Sequence, residues 1–379
     1  MKVVHAVRQY HPSVGGMEDV VQNIALHQKS QHGHQPVILT LDRVFRDSDR
    51  VLPSRETVDG VPVIRLPYRG SSRYPLCPAV LAHVRDADVI HVHGIDFFFD
   101  FLAATRPIHR RPMLASTHGG FFHTRFASTL KRVYFNTATR LSSCAYERVV
   151  ATSENDGKIF SAIVKPPRQM VIENGVNVEK YAGQAAPVLT PTLIYFGRWS
   201  ANKGLFETLA LFRQLVTRHS GWKLIIAGRE YDHTQKELAA EITRYQLEDA
   251  VQLVANPSDQ KLASLIGQSS YYICQSHHEG FGLAPIEAMS AGLTPVLSDI
   301  PPFRNLIEQA GIGILFDQQA VEDRVAALLA VHKQGHLDYL RRRSDAQRFV
   351  QRYSWKHIAD RYVDIYRTLG STAARRAAC

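Results

Sequence analysis

The sequence predicts an α/β protein made of two doubly wound domains, each a parallel sheet with helices on both faces. Short, continuous apolar runs alternate with helical patterns along the chain. Such runs are typical of strands that are buried on both faces of a parallel sheet. The length of 379 residues also favours two domains over one.

The predicted strands fall into two series. The first spans residues 3–7, 36–41, 61–66, 88–93, 113–117, 148–153 and 169–174. The second spans residues 192–197, 223–228, 251–255, 271–276, 294–299 and 313–317. Between them, residues 182–192 (AGQAAPVLTPT) have the composition of a linker. We therefore expect an N-terminal domain over residues 1–175 and a C-terminal domain over residues 190–352.

The last part of the chain reads as a long helix. Residues 353–369, YSWKHIADRYVDIYRTL, place apolar side chains at the helical period. No predicted strand accompanies this helix, so we expect residues 353–370 to cross back and pack on the N-terminal domain. The final stretch, STAARRAAC, is expected to fray.

The composition predicts a soluble, cytoplasmic protein. Hydrophobic residues make up 45% and charged residues 21% of the chain, as in ordinary globular proteins. No apolar run reaches the length of about 18 residues that a membrane-spanning helix needs, and the opening MKVVHAVRQYHP turns polar too early for a signal peptide. The four cysteines form no C-x-x-C pair, which argues against disulfides and structural zinc.

The net charge of +10 is unevenly spread. Residues 101–146 hold seven basic residues and no acidic one. Such a block either attracts polyanions, among them phosphates, nucleic acid and anionic membrane surfaces, or forms a solvated basic face. Both interpretations stay open on charge alone.

Polar and glycine-rich segments follow the predicted strands, where open parallel sheets bind ligands. Gly15 and Gly16 precede a predicted helix, whose first N–H groups suit a phosphate; a tight turn is the alternative. Arg198 and Lys203 follow the first strand of the second series, and two cations near a helix start suit a diphosphate. Two facing sheets would place these segments in a cleft between the domains.

The segment HEGFGLAPIE contains two carboxylates around the start of a predicted helix. The N–H groups of Phe281, Gly282 and Leu283 are expected to bind an anion there. Glu279 lies in the preceding loop and Glu287 about one turn into the helix. A pair of carboxylates also suits a glycosidase. The neighbouring cations favour a nucleotide-sugar, because a diphosphate leaving group needs charge neutralisation more than a proton.

His118 ends a buried strand, at the edge where a ligand is expected. A lone histidine is usually a satisfied polar group, but this position favours a role at the site. His91 and His93 lie two positions apart, on the same face of one predicted strand. No acidic residue or cysteine joins them to complete a set of metal ligands. No metal site is therefore predicted.

The segment RFASTLKRVYFNTATRL, residues 125–141, has an apolar helical face and a basic one. Arg125, Lys131 and Arg132 are predicted to face an anionic membrane. A core-packed helix with a wet basic face is the alternative.

Together, the paired glycines after the first strand, R-x4-K and E-x7-E resemble the motifs of the retaining glycosyltransferases of family four. These have the GT-B fold, two Rossmann-like domains facing across a cleft. Within the family, the stretches YRGSSRYP, STHGGFFHT, YFGRWSANKG and LIIAGREYD resemble the alpha-mannosyltransferases of xanthan and acetan assembly in bacteria. The resemblance covers nearly the whole chain, up to about residue 370.

The resemblance implies a donor site for GDP-mannose. Arg198 and Lys203 would hold its diphosphate, with help from Gly16 and the N–H groups of residues 281–283. Transfer would retain the anomeric configuration and need no metal or other cofactor. The acceptor would be cellobiose on polyprenyl diphosphate, joined by an alpha-1,3 linkage in exopolysaccharide assembly. The basic N-terminal half would dock on the inner face of the bacterial inner membrane, where this acceptor lies.

The resemblance also implies roles for three further residues. Glu279 would contact the mannose, Glu287 the ribose, and His118 would position the donor sugar near the reacting centre. Two other enzyme functions stay open: a hexosyltransferase with another nucleotide-sugar and lipid-linked acceptor, and a GT-B sugar-nucleotide epimerase. A nucleic-acid-binding protein is suggested by the pI of 9.5, but the sequence lacks aromatic–basic recognition motifs.

Overall fold

The computed structural model describes residues 1–72, 74–119, 128–279, 282–316 and 321–378, without the side chains of residues 48, 128–130 and 372–378. The chain forms two compact units. The first is Met1–Gly175 with Trp355–Cys379, and the second is Val176–Ser354. Each unit contains a largely parallel sheet with helices between its strands, so the predicted fold class is confirmed.

The described residues of the first unit form ten strands. They are β1 (Lys2–Val7), β2 (Gln35–Leu41), β3 (Arg43–Val44), β4 (Asp47–Val51), β5 (Arg55–Val58), β6 (Val61–Leu66), β7 (Val89–His93), β8 (Met113–Ser116), β9 (Arg148–Ala151) and β10 (Gln169–Val171). Eight of them form one sheet in the order β10-β9-β8-β7-β1-β2-β6-β5, and β3 pairs with β4. Only β5 runs antiparallel to its neighbour in the large sheet.

The helices of this unit connect successive strands. Those before the second unit are α1 (Gly16–His32), α2 (Val80–His83), α3 (Phe97–Ala104), α4 (Arg106–His109), α5 (Ser128–Tyr134), α6 (Arg140–Ser143) and α7 (Glu154–Phe160). A π-helix, Phe135–Thr139, joins α5 to α6. A 3-10 turn, Pro166–Arg168, precedes β10.

The large sheet of the first unit is covered on both faces. Successive side chains of a strand point to opposite faces of its sheet. Val4 and Ala6 pack in a cluster with α3, whereas Val3 packs in a different cluster with α1. All three are fully buried, which explains why β1 reads as a continuous apolar run.

The second unit has a six-stranded parallel sheet in the order β13-β12-β11-β14-β15-β16. Its strands are β11 (Thr192–Trp199), β12 (Lys223–Glu230), β13 (Val251–Ala255), β14 (Tyr271–Cys274), β15 (Thr294–Ser298) and β16 (Ile314–Phe316). Its helices are α8 (Leu205–Arg218), α9 (Gln235–Arg244), α10 (Asp259–Ile266), α11 (Leu283–Ala291), α12 (Pro301–Ala310), α13 (Val321–Lys333) and α14 (His336–Val350). Two 3-10 turns, Ala201–Lys203 and Gln351–Tyr353, complete it.

Residues 176–189, left between the two predicted domains, pack on the second unit. Ala185 N–H donates to the carbonyl of Ala291 at 2.8 Å, and Ala186 N–H donates to that of Ser269 at 3.0 Å. Both alanines are buried.

The C-terminal helix, α15 (Trp355–Ala378), belongs to the first unit. Ile358, Tyr362 and Tyr366 are buried in one cluster with Val3 and residues of α1. This packing explains the amphipathic pattern of the tail. No helix among the described residues has both the length and the apolar composition that crossing a bilayer requires.

Strands β3, β4 and β5 were not predicted. They are short, and β4 and β5 carry charged side chains. The hairpin between β5 and β6 turns at Asp59 and Gly60, both with positive φ, and Asp-Gly is a strong sequence signal for such a turn. That signal was present in the sequence.

Candidate functional site

Lys203 and Glu279 form an ion pair at the carboxyl end of the second sheet. Strands β11 and β14 are parallel neighbours, so the segments that follow them meet at one edge. Lys203 ends the 3-10 turn after β11, and its Nζ donates to Glu279 Oε1 in the loop after β14. Ser276 Oγ donates to the same oxygen at 2.7 Å. The two charged side chains are only 18% and 12% exposed.

Backbone contacts fix the two segments that carry this pair. Asn202 Nδ2 donates to the carbonyl of His278 at 2.9 Å, and His277 N–H donates to the carbonyl of Asn202 at 2.8 Å. Ser298 Oγ, at the end of β15, donates to the carbonyl of Ser276. The positions of Lys203 and Glu279 are therefore set by a cross-linked pair of loops.

Gly204 permits the close approach of these loops. It has a φ of 63° and caps the start of α8. A Cβ at this position would lie 2.1 Å from the carbonyl oxygen of Gln275, well inside van der Waals contact. Only glycine meets both the backbone and the space requirement here.

Arg198 lies near the same edge and is exposed. Its guanidinium carbon is 5.2 Å from the centre of the Tyr231 ring. Burial raises the pKa of the Tyr195 phenol, with smaller contributions from Cys274 and Glu279 that raise it and from Arg198 that lowers it. Both Arg198 and Glu279 are thus close to Tyr195, although no hydrogen bond within the described part of the chain joins the Arg198 side chain to Glu279.

The start of α11 offers an uncapped helix end. Its first residue is Leu283, as predicted, and Gly282 before it has a φ of 87°. A Cβ on Gly282 would lie 2.8 Å from Phe303 Cε1. No side chain of the described residues caps this end, so its first N–H groups can bind an anion. Phe281, predicted to take part, lies outside the described residues.

Glu287 lies in the second turn of α11 and is partly buried. Burial raises the pKa of its carboxyl, Lys180 opposes that shift, and Asp259 adds to it. Lys180 Nζ pairs with Asp259 Oδ1 at 2.9 Å. Neither Lys180 nor Asp259 was predicted, because neither lies in a recognisable motif.

In the first unit, Gly15 and Gly16 stand at the start of α1, as predicted. Gly16 is exposed, and an added Cβ would have no heavy atom within 4 Å. The same end also holds acids: Glu18 accepts from Ser13 Oγ at 2.9 Å, and burial raises the pKa of Asp19. These acids already balance part of the helix dipole.

His118 lies just beyond β8 and has a φ of 50°, a backbone conformation that is uncommon for residues other than glycine. Its Nε2 is 3.0 Å from His93 Nδ1. Burial lowers the pKa of His118 from 6.5 to about 4, so the ring is neutral near pH 7. The ring remains partly accessible.

Three buried histidines bring their nitrogens within 4.8 Å of one another: His5, His91 and His93. Both ring nitrogens of each of these histidines take part in hydrogen bonds. His5 bonds His93 and Gln28, and His91 bonds Tyr366 and Ser116. His5 was not identified from the sequence, where a single histidine within a buried strand gives no signal.

The predicted membrane-facing segment is described in part. Arg125 lies outside the described residues, whereas Lys131 and Arg132 lie on α5. Arg132 is exposed, and so are two apolar side chains of the segment, Val133 at 55% and Leu141 at 77%. Tyr134, which belongs to the apolar face that the helical pattern of residues 125–141 predicts, hydrogen-bonds Asp100. The π-helix after α5 shifts the helical register, so that a continuous α-helical face is not kept.

Comparison with known proteins bears on both units. The family model "Glycosyltransferase Family 4" matches residues 14–180, and "Glycosyl transferases group 1" matches residues 180–348. The chain is 52% identical over 369 residues to the GDP-mannose:cellobiosyl-diphosphopolyprenol alpha-mannosyltransferase of Xanthomonas oryzae pv. oryzae, covering 97% of this chain and 96% of the relative. The protein of the same name from Komagataeibacter xylinus is 42% identical over 368 residues, covering 97% and 93%.

Among solved structures, the Anabaena protein HepE in complex with UDP is similar in fold. It matches with a TM-score of 0.71 at 20% identity, over 97% of this chain and 100% of that one. At this identity the likeness concerns the fold alone.

Proposed function

This chain belongs to glycosyltransferase family 4, and on that premise we propose that it transfers mannose from GDP-mannose to a cellobiose carried on polyprenyl diphosphate. Relatives at 42% and 52% identity over 97% of the chain bear the corresponding name. The observation that carries the proposal is the Lys203–Glu279 pair, which sets a cation and a carboxylate side by side at the carboxyl end of a parallel sheet.

The donor diphosphate would be held by cations and helix N–H groups. Arg198 is exposed and Lys203 is fixed by its loop, so both can neutralise a diphosphate. The N–H groups at Gly282 and Leu283 would add hydrogen bonds from the end of α11. Gly16, where an added Cβ would meet open space, would let a phosphate approach the start of α1.

The two carboxylates would bind hydroxyl groups of the donor. Glu279 would accept from the mannose once Lys203 turns to the diphosphate. Glu287, whose burial raises its pKa, gains from hydroxyl donors that stabilise its charged form, and the ribose supplies two. His118 would position the donor sugar.

We propose retention of the anomeric configuration without a metal or covalent nucleophile. In this scheme departure of GDP is driven by charge neutralisation from Arg198 and Lys203. The acceptor hydroxyl attacks the anomeric carbon from the face that the diphosphate leaves, so that the bond to the acceptor oxygen forms as the bond to GDP breaks, and the hydroxyl proton passes to the departing diphosphate oxygen. Glu279 stabilises the positive charge that develops on the sugar.

The acceptor would be reached at an anionic membrane surface. Arg132 is exposed, as are the apolar side chains of Val133 and Leu141 in the same segment of the chain, and a segment that exposes both basic and apolar side chains suits a lipid interface. The place of the reaction would be the inner face of the bacterial inner membrane, in assembly of an exopolysaccharide of the xanthan or acetan kind.

One experiment tests donor, acceptor and stereochemistry together. The full chain is given a panel of nucleotide sugars with cellobiosyl diphosphopolyprenol, and the product is analysed by mass spectrometry and anomeric NMR. We expect one added mannose, from GDP-mannose alone, in alpha linkage. Preference for another sugar or lipid-linked acceptor would replace the substrate assignment. Isomerisation of the nucleotide-sugar without transfer would identify an epimerase.

A further inference from the structure

A string of imidazoles connects the core of the first unit to His118. His118 Nε2 lies 3.0 Å from Nδ1 of His93, and His93 Nε2 lies 3.0 Å from Nδ1 of His5. The string ends at Gln28 on α1, whose Oε1 lies 3.1 Å from His5 Nε2. Gln28, His5 and His93 are fully buried, so only the His118 end meets solvent or a ligand.

The string is held by the centre of the large sheet. His5 lies on β1 and His93 on β7, which are parallel neighbours. Strand β8, which leads to His118, pairs with β7 on its other side. The rings of His5 and His93 stack, with centroids 5.3 Å apart and an angle of 24°. Because central strands fix the backbone of each link, the ring positions are set by the fold.

Each ring carries a single proton at neutral pH. Burial lowers the pKa of His5 and of His118 from 6.5 to about 4. It takes the pKa of His93 well below 6.5, and His91 adds to that shift. A neutral imidazole has one donor and one acceptor nitrogen. Each hydrogen bond in the string needs one donor nitrogen and one acceptor nitrogen. Once the protonated nitrogen of one ring is known, the protonated nitrogen of every other ring in the string is therefore known too.

Gln28 sets the direction of the string. Its Oε1 only accepts, so His5 donates from Nε2 and offers Nδ1 to His93. His93 in turn donates from Nε2 and offers Nδ1 to His118. The amide nitrogen of Gln28 is buried without a hydrogen-bond partner among the described residues. Tyr366 lies near this amide, because burial raises the pKa of that phenol and Gln28 opposes the shift.

We propose that Gln28, His5 and His93 are positioning residues that hold His118 as its Nε2–H tautomer, with Nδ1 presenting a lone pair to a hydroxyl of the donor sugar. No residue that the structure describes hydrogen-bonds this Nδ1. The inference rests on the proposed function, since the hydroxyl belongs to the substrate proposed there. The positive φ of His118 fits the assignment, because backbone strain persists where function needs it.

A second branch of the same cluster supplies a matched control. His91 Nδ1 lies 2.7 Å from Tyr366 Oη, and His91 Nε2 lies 2.8 Å from Ser116 Oγ. Ser116 Oγ is 3.1 Å from Tyr362 Oη. This branch is as buried as the string but has no hydrogen bond to His118. If the histidines served packing alone, cutting either branch would have the same effect.

The tautomer is measured directly by two-bond 1H–15N correlation spectra of the full chain labelled with 15N-histidine. His118→Asn identifies the His118 signals by their loss. We expect the Nε2–H pattern for His118 in the wild type and in Ser116→Ala. In Gln28→Met, which keeps the size of the side chain and removes its acceptor, we expect a mixture of both tautomers.

Two spectral outcomes overturn the proposal. One is a wild-type His118 that carries its proton on Nδ1, the pattern that a reversed Gln28 amide would produce. The other is an unchanged Nε2–H pattern in folded Gln28→Met. Should that variant fail to fold, His5→Phe cuts the string at the next link, with the same expectation. The wild-type spectrum, assigned with His118→Asn, decides the first outcome even if neither Gln28→Met nor His5→Phe folds.

Turnover provides the second readout. We expect Gln28→Met to lower kcat about tenfold, the effect of one weakened hydrogen bond, with KM for GDP-mannose changed less than about twofold. Ser116→Ala should keep both constants. Equal losses of kcat in the two variants would assign a packing role and overturn the proposal. A wild-type protein that transfers no mannose would refute the proposed function alone, because the spectra still decide the tautomer.

Discussion

Replacing Glu279 by glutamine removes one negative charge from the candidate site and keeps its shape. Glu279 Oε1 accepts from Lys203 Nζ and, at 2.7 Å, from Ser276 Oγ. The amide oxygen of glutamine can accept the same two bonds. The fold therefore loses only the difference between a charged and a neutral hydrogen bond, about 1 kcal/mol in the free energy of unfolding.

Transfer is expected to lose more than stability. If Glu279 stabilises the positive charge that develops on the mannose, the neutral amide forfeits most of that interaction. Removing one such electrostatic contact lowers kcat by roughly 10²–10³-fold, which corresponds to about 3–4 kcal/mol. Because this exceeds the expected change in stability several-fold, a structural role and a functional role give different results.

Transfer of radiolabelled mannose to the lipid-linked acceptor measures kcat, and urea unfolding measures stability. Glu207→Gln is the matched control. Its carboxylate pairs with His277 at 3.0 Å in the loop after β14 and is half exposed, so its loss should change neither quantity much. Near-normal turnover of Glu279→Gln would refute the reasoning, and so would an equal loss in Glu207→Gln.

Arg198→Ala should weaken GDP binding by about 10- to 100-fold in calorimetry, because the variant loses a charge-assisted contact from an exposed guanidinium. Arg229→Ala, opposite Arg198 on β12, is the control. Equal GDP affinities of Arg198→Ala and Arg229→Ala would remove Arg198 from the site. Gly204→Ala should lower the free energy of unfolding by at least about 2 kcal/mol, because a Cβ would meet the Gln275 carbonyl; a wild-type urea midpoint would contradict this. Vesicle binding should require anionic lipid, fade with salt and weaken in Leu141→Ser, whose side chain is 77% exposed; equal binding to neutral vesicles would rule out electrostatic docking. Lowering the pH from 7 to 5 should reduce the free energy of unfolding by at least about 2 kcal/mol, the share of His5 alone. The folded pKa of His5 is about 4 against 6.5, so the unfolded chain binds the proton first, and the lowered pKa values of His118 and His93 act in the same direction. A flat profile would contradict these shifts.

The sequence predicts strands well where burial dictates composition. The predicted runs from 192–197 to 313–317 coincide with β11 to β16 within a few residues, because both faces of a central parallel strand need apolar side chains. The same rule fails for β4 and β5. These carry charged residues such as Arg50 and Glu56, and only their pairing with a neighbour makes them strands.

The sequence predicted the part of the candidate site that depends on residues following the carboxyl ends of strands. Parallel strands all end at one edge, so residues after β11 and β14 had to lie on the same side of the sheet. The contact between Lys203 and Glu279 depends on β11 and β14 being neighbours in the sheet. The local sequence of each strand does not reveal this strand order. The group Lys180–Asp259 near Glu287 was missed for the same reason, since its members come from distant segments.

The histidine string shows more clearly what cannot be predicted from the sequence alone. His5 and His93 are 88 positions apart in the chain and are joined only by the register of β1 and β7. Each alone reads as a polar residue in an apolar strand. A buried polar group requires a hydrogen-bond partner, but the sequence does not reveal which partner the fold supplies.

The pairing of Lys203 with Glu279 gives a physical reason for two cations and a carboxylate at one sheet edge. Arg198 is exposed, whereas Lys203 is largely buried and already neutralised. We propose that an incoming diphosphate meets Arg198 and the uncapped end of α11 first, and then draws Lys203 from Glu279. Because one oxygen of Glu279 holds the lysine, this exchange frees the carboxylate only when the anion is in place. Binding of the diphosphate and readiness of Glu279 for the sugar are then one event, which either residue alone could not provide.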